Sequence, residues 1–511
     1  MRWFATLSAV AFVAACSGPP GESGTTITNV RIVDGTGAPA RAGTVRIVAD
    51  TIVAVGDVSP LAGDSILDGN GLVLAPGFID THSHQDFGLG KTPDAAATVS
   101  QGITTIVAGN DGGHPYPLAR AFDSLTASGH APNIAFYAGH GSLRTAVMGN
   151  QFKRHATATE VDSMAALLRI ELAAGALGLS TGLEYDPGIY ADRAEVLALA
   201  KVAAAAGSRY ISHIRSEDRD FWDAIDEVLT IGREAKLPVQ ISHLKLAMVP
   251  LWGQADSLLR RLDAARAQGV DVTADIYPYT YWHSTLQVLF PKRDFANRAE
   301  ALKILKEIVP ADGLLIGVYA AKPEYAGKTV AQIAEVRHED PASTLMGLIR
   351  ESQAYQAQNA DHAMPSAVES VVATAMQEAD VRKLIQWEHT NVCSDGELNG
   401  AHPRGFGAFP RVLGRYVREE KVLGLEAAIH KMTALSAQHV GITNRGRIAP
   451  GQAADLVLLD PAMVVDRATP AEPHNVSAGI VRVWVNGVTV WRNGRPTGSH
   501  PGRIIKRARI R

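Results

Sequence analysis

Cysteine is nearly absent from this chain: its 511 residues contain two, Cys16 and Cys393. That excludes a small scaffold stapled by several disulfides and leaves stability to a hydrophobic core, which a chain of this length can bury. An excess of charge of one sign is also lacking. Lys and Arg number 49 against 52 Asp and Glu, a formal net charge of −3, and the body of the chain has no dense basic cluster. Phosphate-backbone binding needs a basic footprint, so no nucleic-acid partner is expected. The short basic tail, Lys506 to Arg511, reads as a solvated terminus. Long apolar runs are missing too, since the run from Trp3 to Ala15 is too short to cross roughly 30 Å of hydrocarbon as a helix. With 46% apolar and 20% charged residues, the composition is that of a globular protein, neither disordered nor collagen-like.

What is present begins with a leader. Arg2 supplies a positive start, an apolar stretch follows, and the pattern reads as a secretory signal over residues 1–16. Its end, Val13-Ala14-Ala15-Cys16, resembles a bacterial lipobox, which implies lipidation of Cys16 and a lipid-anchored protein at the periplasmic or outer-membrane face. Residues 17–25, rich in Gly, Pro and Ser, suit a tether.

Residues 26–75 alternate apolar and polar, as in Thr26-Ile27-Thr28-Asn29-Val30-Arg31-Ile32-Val33, a period that argues for half-buried strands. The same texture returns at 441–500, in Asp455-Leu456-Val457-Leu458-Leu459 and Val481-Arg482-Val483-Trp484-Val485. Two β-rich ends around a long middle suggest one small β-sandwich built by both. In the middle, 76–440, short apolar strands alternate with helical patterns. Asp192 and Glu195 are placed as a capping box with Gly207 as a stop, and a second helix from Gln254 is closed by Gly269. Strand candidates end near His82, Asp111, His140, Glu184, His213, His243, Tyr279 and Asp395. Several steps are about 30 residues, one βαβ unit, so the expected fold is α/β, a (β/α)8 barrel plus the sandwich. The gap between Tyr279 and Asp395 holds an insertion at about 287–388, helical around 298–308 and 365–378, expected to cap the barrel mouth, where such barrels keep their active sites.

Polar residues stand where those strands end. In Asp80-Thr81-His82-Ser83-His84 the two histidines share one face of a strand and can grip one ion. His213 and His243 follow in Ile211-Ser212-His213 and Ile241-Ser242-His243, and Asp395 closes the series in Cys393-Ser394-Asp395-Gly396. Four imidazoles and a carboxylate converging on one mouth suit zinc or a similar divalent ion.

The chain resembles the amidohydrolase superfamily and, within it, the N-acyl-D-amino-acid deacylases. The resemblance runs from about Thr26 to Asn493 and is carried by Pro76-Gly77-Phe78-Ile79-Asp80-Thr81-His82-Ser83-His84, Gly178-Leu179-Ser180-Thr181-Gly182-Leu183 and Ser242-His243-Leu244-Lys245. Asp275-Ile276-Tyr277-Pro278-Tyr279-Thr280, His402-Pro403-Arg404-Gly405-Phe406-Gly407 and Gly446 to Asp455 add to it. It implies one or two metal ions, one held by His82 and His84 with Asp395, the other by His213 with His243. Many deacylases carry a metal-binding cysteine in Gly-Asn-Cys-Gly, whereas this chain has Gly109-Asn110-Asp111-Gly112. It also has Glu184 where those relatives have an apolar residue, so Glu184 is expected to bridge the metals, with Asp111 as the alternative ligand and a single metal as the third possibility.

The resemblance further implies that water activated by the metal, whose pKa falls to about 7 on zinc, attacks an amide carbonyl while Asp395 accepts its proton and passes it to the leaving amine. Lys245, Tyr279, Ser284 and Arg404 are the residues implied for the substrate's α-carboxylate. His140 is assigned no metal, and both it and His114 stay open between a supporting and a structural role. The expected partner is a small molecule with an amide and a free carboxylate. A dipeptidase releasing a C-terminal residue is a second reading, and a catalytically silent metal- or solute-binding lipoprotein a third from a different class. Cyclic-amide hydrolysis fits less well, because those enzymes normally use a lysine where Glu184 stands.

Overall fold

The computed structural model describes residues 23–359 and 365–508. The expected leader and the lipidation expected at Cys16 fall outside the described residues. Five strands open the chain: β1 (Thr25–Ile32), β2 (Arg41–Val48), β3 (Thr51–Gly56), β4 (Ser65–Asp68) and β5 (Val73–Pro76). In β1 the period-two pattern is rephased by a bulge between Ile27 and Val30, where Asn29 takes φ 52°. Ile27, Val30 and Ile32 therefore all reach the core despite their spacing.

The barrel follows with β6 (Phe78–Asp80), β7 (Ile103–Ala108), β8 (Asn133–Phe136) and its continuation β9 (Ala138–Gly139), β10 (Gly178–Gly182), β11 (Arg209–His213), β12 (Val239–Ile241) and β13 (Val272–Ile276). After an insertion comes β17 (Thr390–Val392), the eighth staves' strand, which pairs with β13 in parallel. The ring closes where Asp395 N donates to His82 O at 2.8 Å and His84 N to Gly396 O at 2.9 Å. The helix Arg193–Ala205 shows half of the expected capping box. The Asp192 side chain accepts from Glu195 N, but the Glu195 carboxylate is taken by Arg144 and His140.

The insertion carries β14 (Tyr281–Ser284), β15 (Leu314–Tyr319) and β16 (Glu369–Thr374), paired antiparallel in the order β14-β16-β15, with helices at Arg298–Glu307, Val330–Arg337 and Pro341–Gln358. The helix expected over 365–378 is corrected here. A single helical turn, Pro365–Val368, gives way to the central strand of this sheet, where Val371 and Val372 are buried and β-branched side chains pack well.

The chain ends with β18 (Leu456–Leu459), β19 (Ile480–Val485), β20 (Val488–Arg492) and β21 (Arg495–Pro496). β18 pairs antiparallel with β5, which joins both chain ends in one nine-stranded sheet. Its core includes Ile27, Ile47, Ile52, Leu456 and Trp484. The described start of the basic tail is not free in solvent: Ile134 N donates to Arg503 O, Ile505 N to Ile134 O and Arg507 N to Gly175 O, so residues 503–507 lie along the N-terminal ends of the barrel strands.

Candidate functional site

Side chains from the C-terminal ends of the barrel strands meet at one point. His82 and His84 leave β6 and face Asp395, which follows β17; Asp395 Oδ1 lies 3.6 Å from His82 Nε2 and 3.3 Å from His84 Nε2. His213, the last residue of β11, and His243, just after β12, come together with Nδ1 and Nε2 3.0 Å apart.

Asp111 lies between the two pairs. Its Oδ2 is 3.4 Å from His82 Nε2 and 3.3 Å from His84 Nε2, while its Oδ1 is 3.6 Å from His243 Nε2. Asp111 accordingly belongs to two groups of potential ligands, one with His82, His84 and Asp395, the other with His213 and His243. The local chain explains its aim. Asn110 Nδ2 donates to Val107 O at 2.8 Å, fastening the turn after β7, and Gly109 packs so closely on Tyr137 that a Cβ would lie 2.3 Å from its carbonyl oxygen. Asp111 itself takes φ 52°, and Asp395 and His243 also have positive φ, 50° and 35°. Left-handed backbone at non-glycine residues is costly and concentrates at functional sites.

Of the two carboxylates weighed for the bridging position, Asp111 faces both histidine pairs, whereas Glu184 groups with His213 and Glu217. Glu184 follows β10 on the side of the insertion, where Arg293 Nη2 donates to its carbonyl at 2.8 Å. Its carboxylate reaches one histidine only, Oε2 lying 3.0 Å from His213 Nε2. Burial, together with the charges of Asp218 and Glu217, raises its pKa well above the usual carboxylate range.

Electrostatics divide the site. Burial works against ionisation of Asp395 and Asp111, but Arg404 and His82 outweigh it at Asp395, and His82, His243 and His84 do so at Asp111, so both carboxyls lie well below their ordinary range. Burial lowers His213 to about 4. Both nitrogens of His82 and Oδ1 of Asp111 are buried without a hydrogen-bond partner among the described residues. Such orphaned groups are rare, and imidazoles with carboxylates form a donor set for zinc and similar divalent ions. The residues fit a pair of such ions, with Asp111 reaching toward both.

Beside this cluster a cavity is lined by Lys245, Tyr277, Ser284, Arg404, Trp282 and Ile308, among others. Lys245, Ser284 and Arg404 are thus brought to the site. Tyr279 does not line this cavity; Tyr277 does. Tyr279 N donates to Tyr277 O at 3.0 Å, a tight turn directly after β13 that breaks the strand's alternation. Tyr277 faces the cavity, and the hydroxyls of both tyrosines are buried and unpartnered among the described residues. Tyr279 packs instead against His402 and under Arg411, whose guanidinium lies 4.7 Å from its ring. Lys245 and Arg404 flank the ring of Tyr277 at 5.6 and 4.8 Å.

Two further residues belong to the site and were missed in the sequence. Glu217 Oε1 is 2.6 Å from Lys245 Nζ and 3.0 Å from His243 Nδ1, so it ties a cavity cation to a histidine of the cluster. Asp275 accepts from His243 N at 2.6 Å and from Cys393 Sγ at 3.3 Å beneath them. The signal for Glu217 was its place four residues after His213, and for Tyr277 its place as the first residue past a strand end. His140 and His114 are structural. His140 Nε2 lies 2.7 Å from Glu195 Oε1, and His114 Nδ1 accepts from Gly139 N at 2.8 Å.

Three comparisons bear on this geometry. The amidohydrolase family profile matches residues 65–491. N-acyl-D-glutamate deacylase of Alcaligenes xylosoxydans xylosoxydans is 39% identical over 500 residues, 93% of this chain and 95% of that protein. Two solved structures superpose with a TM-score of 0.83. One is a D-aminoacylase with a binuclear metal centre, 34% identical and covering 96% of this chain and all of its own. The other is N-acyl-D-glutamate deacylase from Bordetella bronchiseptica in complex with zinc and a phosphonate mimic of the tetrahedral intermediate, 35% identical and covering 94% of this chain and 99% of its own.

Proposed function

The chain belongs to the amidohydrolase family, and from that premise we propose that it hydrolyses the linear amide of N-acyl-D-amino acids, releasing a carboxylic acid and a free D-amino acid. The observation that carries the reading is the position of Asp395, with one oxygen toward His82 and His84 and the other 2.5 Å from Arg404 Nη1 at the cavity wall. A carboxylate so placed touches both the metal cluster and the space where a substrate lies.

His82, His84, Asp111 and Asp395 would hold one divalent ion, zinc by analogy with the Bordetella bronchiseptica enzyme, and Asp111, His213 and His243 a second. A metal held there supplies Lewis acidity for activating water and polarising an amide carbonyl. Asp395 takes the proton of the attacking water on Oδ1 and returns it to the amine nitrogen, which leaves poorly without it. Glu217 keeps His243 turned toward the cluster through its Nδ1. Lys245, Arg404 and the Tyr277 hydroxyl bind the α-carboxylate, with Ser284 at the edge of the same cavity. Arg404 is suited to it by its planar fork. The lipid anchor at Cys16 and the periplasmic or outer-membrane placement stay part of this proposal, supported by the sequence Val13-Ala14-Ala15-Cys16.

The test is Asp395→Asn. The acid–base role predicts that kcat for N-acetyl-D-amino acids falls by about 10² to 10⁴ while KM changes little. A fall of less than about tenfold, short of that range, contradicts the role.

A further inference from the structure

We infer that the cavity selects N-acyl-D-amino acids with neutral, apolar side chains and rejects those with acidic ones; the inference rests on the deacylase reading and names the substrate class within it. Among the described residues lining the inner cavity, the cations other than histidine are Lys245 and Arg404. Both flank the ring of Tyr277, so they converge on one place and serve one anion. Both also already face a carboxylate, Glu217 at 2.6 Å and Asp395 at 2.5 Å. The α-carboxylate, common to every substrate of the class, takes that place. A second carboxylate on the side chain then meets no cation in the inner cavity.

It meets anions instead. Glu217 and Asp218 line the same cavity, and a like charge brought beside them in a partly shielded pocket is repelled. Trp282, Val288, Leu289 and Ile308, contributed by the insertion and the segment that leads into it, give the cavity an apolar wall beside the neutral polar groups of Tyr185 and Ser284. Burying a side chain there gains roughly fourfold in kcat/KM per methylene.

The outer mouth does not reverse the balance. Arg293 lines it, but its guanidinium pairs with Asp186 at 3.2 Å and donates to the carbonyls of Glu184, Phe290 and Gln287. Lys153, also on the rim, stands 5.9 Å from the ring of Phe152 and lines the outer mouth rather than the inner cavity. The side chain named in N-acyl-D-glutamate deacylase, a relative 39% identical, is thus one that this cavity disfavours.

The experiment is a steady-state panel on the full zinc-loaded protein with N-acetyl-D-Leu, D-Phe, D-Ala, D-Gln and D-Glu. Gln and Glu match in size, so their ratio reads charge alone. The expected result is a kcat/KM for D-Gln at least about 30-fold above that for D-Glu at low salt, with D-Leu and D-Phe above D-Ala by at least about tenfold. Asp218→Asn, which keeps the oxygen that accepts from Ser216 Oγ and Arg219 N, should narrow the Gln-to-Glu ratio severalfold. D-Glu turned over as well as or better than D-Gln overturns the inference and leaves the deacylase reading standing. Absence of turnover across the whole panel, with zinc bound and the protein folded, overturns the deacylase reading and this inference with it.

Discussion

Replacing Glu217 with alanine removes the anion that lies between two largely buried bases. Its side chain is 14% exposed, that of Lys245 is 4%, and that of His243 is 2%. Burial opposes ionisation of Glu217, but Lys245, His213 and His243 outweigh it and hold its carboxyl far below the usual range. Without that carboxylate the Lys245 ammonium faces His243 Nδ1 at 2.7 Å with its charge uncompensated. Breaking a buried pair by removing one partner costs about 3–5 kcal/mol, and the partial exposure here favours the lower end, about 3 kcal/mol. Losing the carboxylate that orients a metal-binding histidine costs about 10- to 100-fold in metal affinity. Urea unfolding of the metal-stripped protein reads the first effect, and zinc competition against a chromophoric chelator reads the second. The double variant Glu217→Ala/Lys245→Met should recover about 2 kcal/mol of stability, since no buried charge is left alone, without recovering zinc affinity. A single variant that loses less than about 0.5 kcal/mol, the range of an ordinary surface change, and binds zinc as the wild type does would refute this reasoning.

Other consequences follow from the same geometry. Asp111→Cys should give the cobalt-substituted protein a thiolate-to-metal charge-transfer band that the wild type lacks, because the side chain stands within reach of both histidine pairs; an unchanged spectrum would remove Asp111 from the ligand set. Tyr277→Phe should lower kcat/KM by about 10-fold or more, the worth of a hydrogen bond to a charged group, and Tyr279→Phe should leave it within about threefold; the reverse order would restore Tyr279 to the substrate site. Burial raises Glu369 to about 8, against the lowering effect of Leu286 N and Gln287 N. Its folded pKa exceeds the unfolded one, so its contribution is fully present below about 4.5 and is lost as pH rises through about 8. The urea midpoint should therefore fall between pH 5 and pH 8, and Glu369→Gln should flatten that slope; an equal slope in the variant would assign it elsewhere.

The barrel was legible because strand ends and histidines coincide: His82 with His84, His213 and His243 each follow a short apolar run, and the 30 residues from His213 to His243 are one βαβ unit. Asp111 and Glu184 could not be ranked by pattern, since each is an acidic residue just past a strand. The choice depends on a left-handed turn after β7 that aims one carboxylate across the barrel axis, and on Arg293 holding the backbone at the other. Tyr277 and Tyr279 differ by one tight turn in a strand-like run, which reverses the side that each ring takes. Glu217 and Lys245 are 28 residues apart in the chain, and only the juxtaposition of two barrel loops makes them a pair. The strand Glu369–Thr374 was hidden because its partners, β14 and β15, lie 50 or more residues away, and local propensity alone favoured a helix.

The most direct test is turnover of N-acetyl-D-Leu and N-acetyl-L-Leu by metal-stripped protein as zinc is added back in measured equivalents. The account predicts no turnover without metal, restoration of D-substrate hydrolysis as zinc fills the cluster around Asp111, and loss of that restoration in His82→Ala. Full activity in the metal-free protein, or hydrolysis that ignores His82, would contradict it.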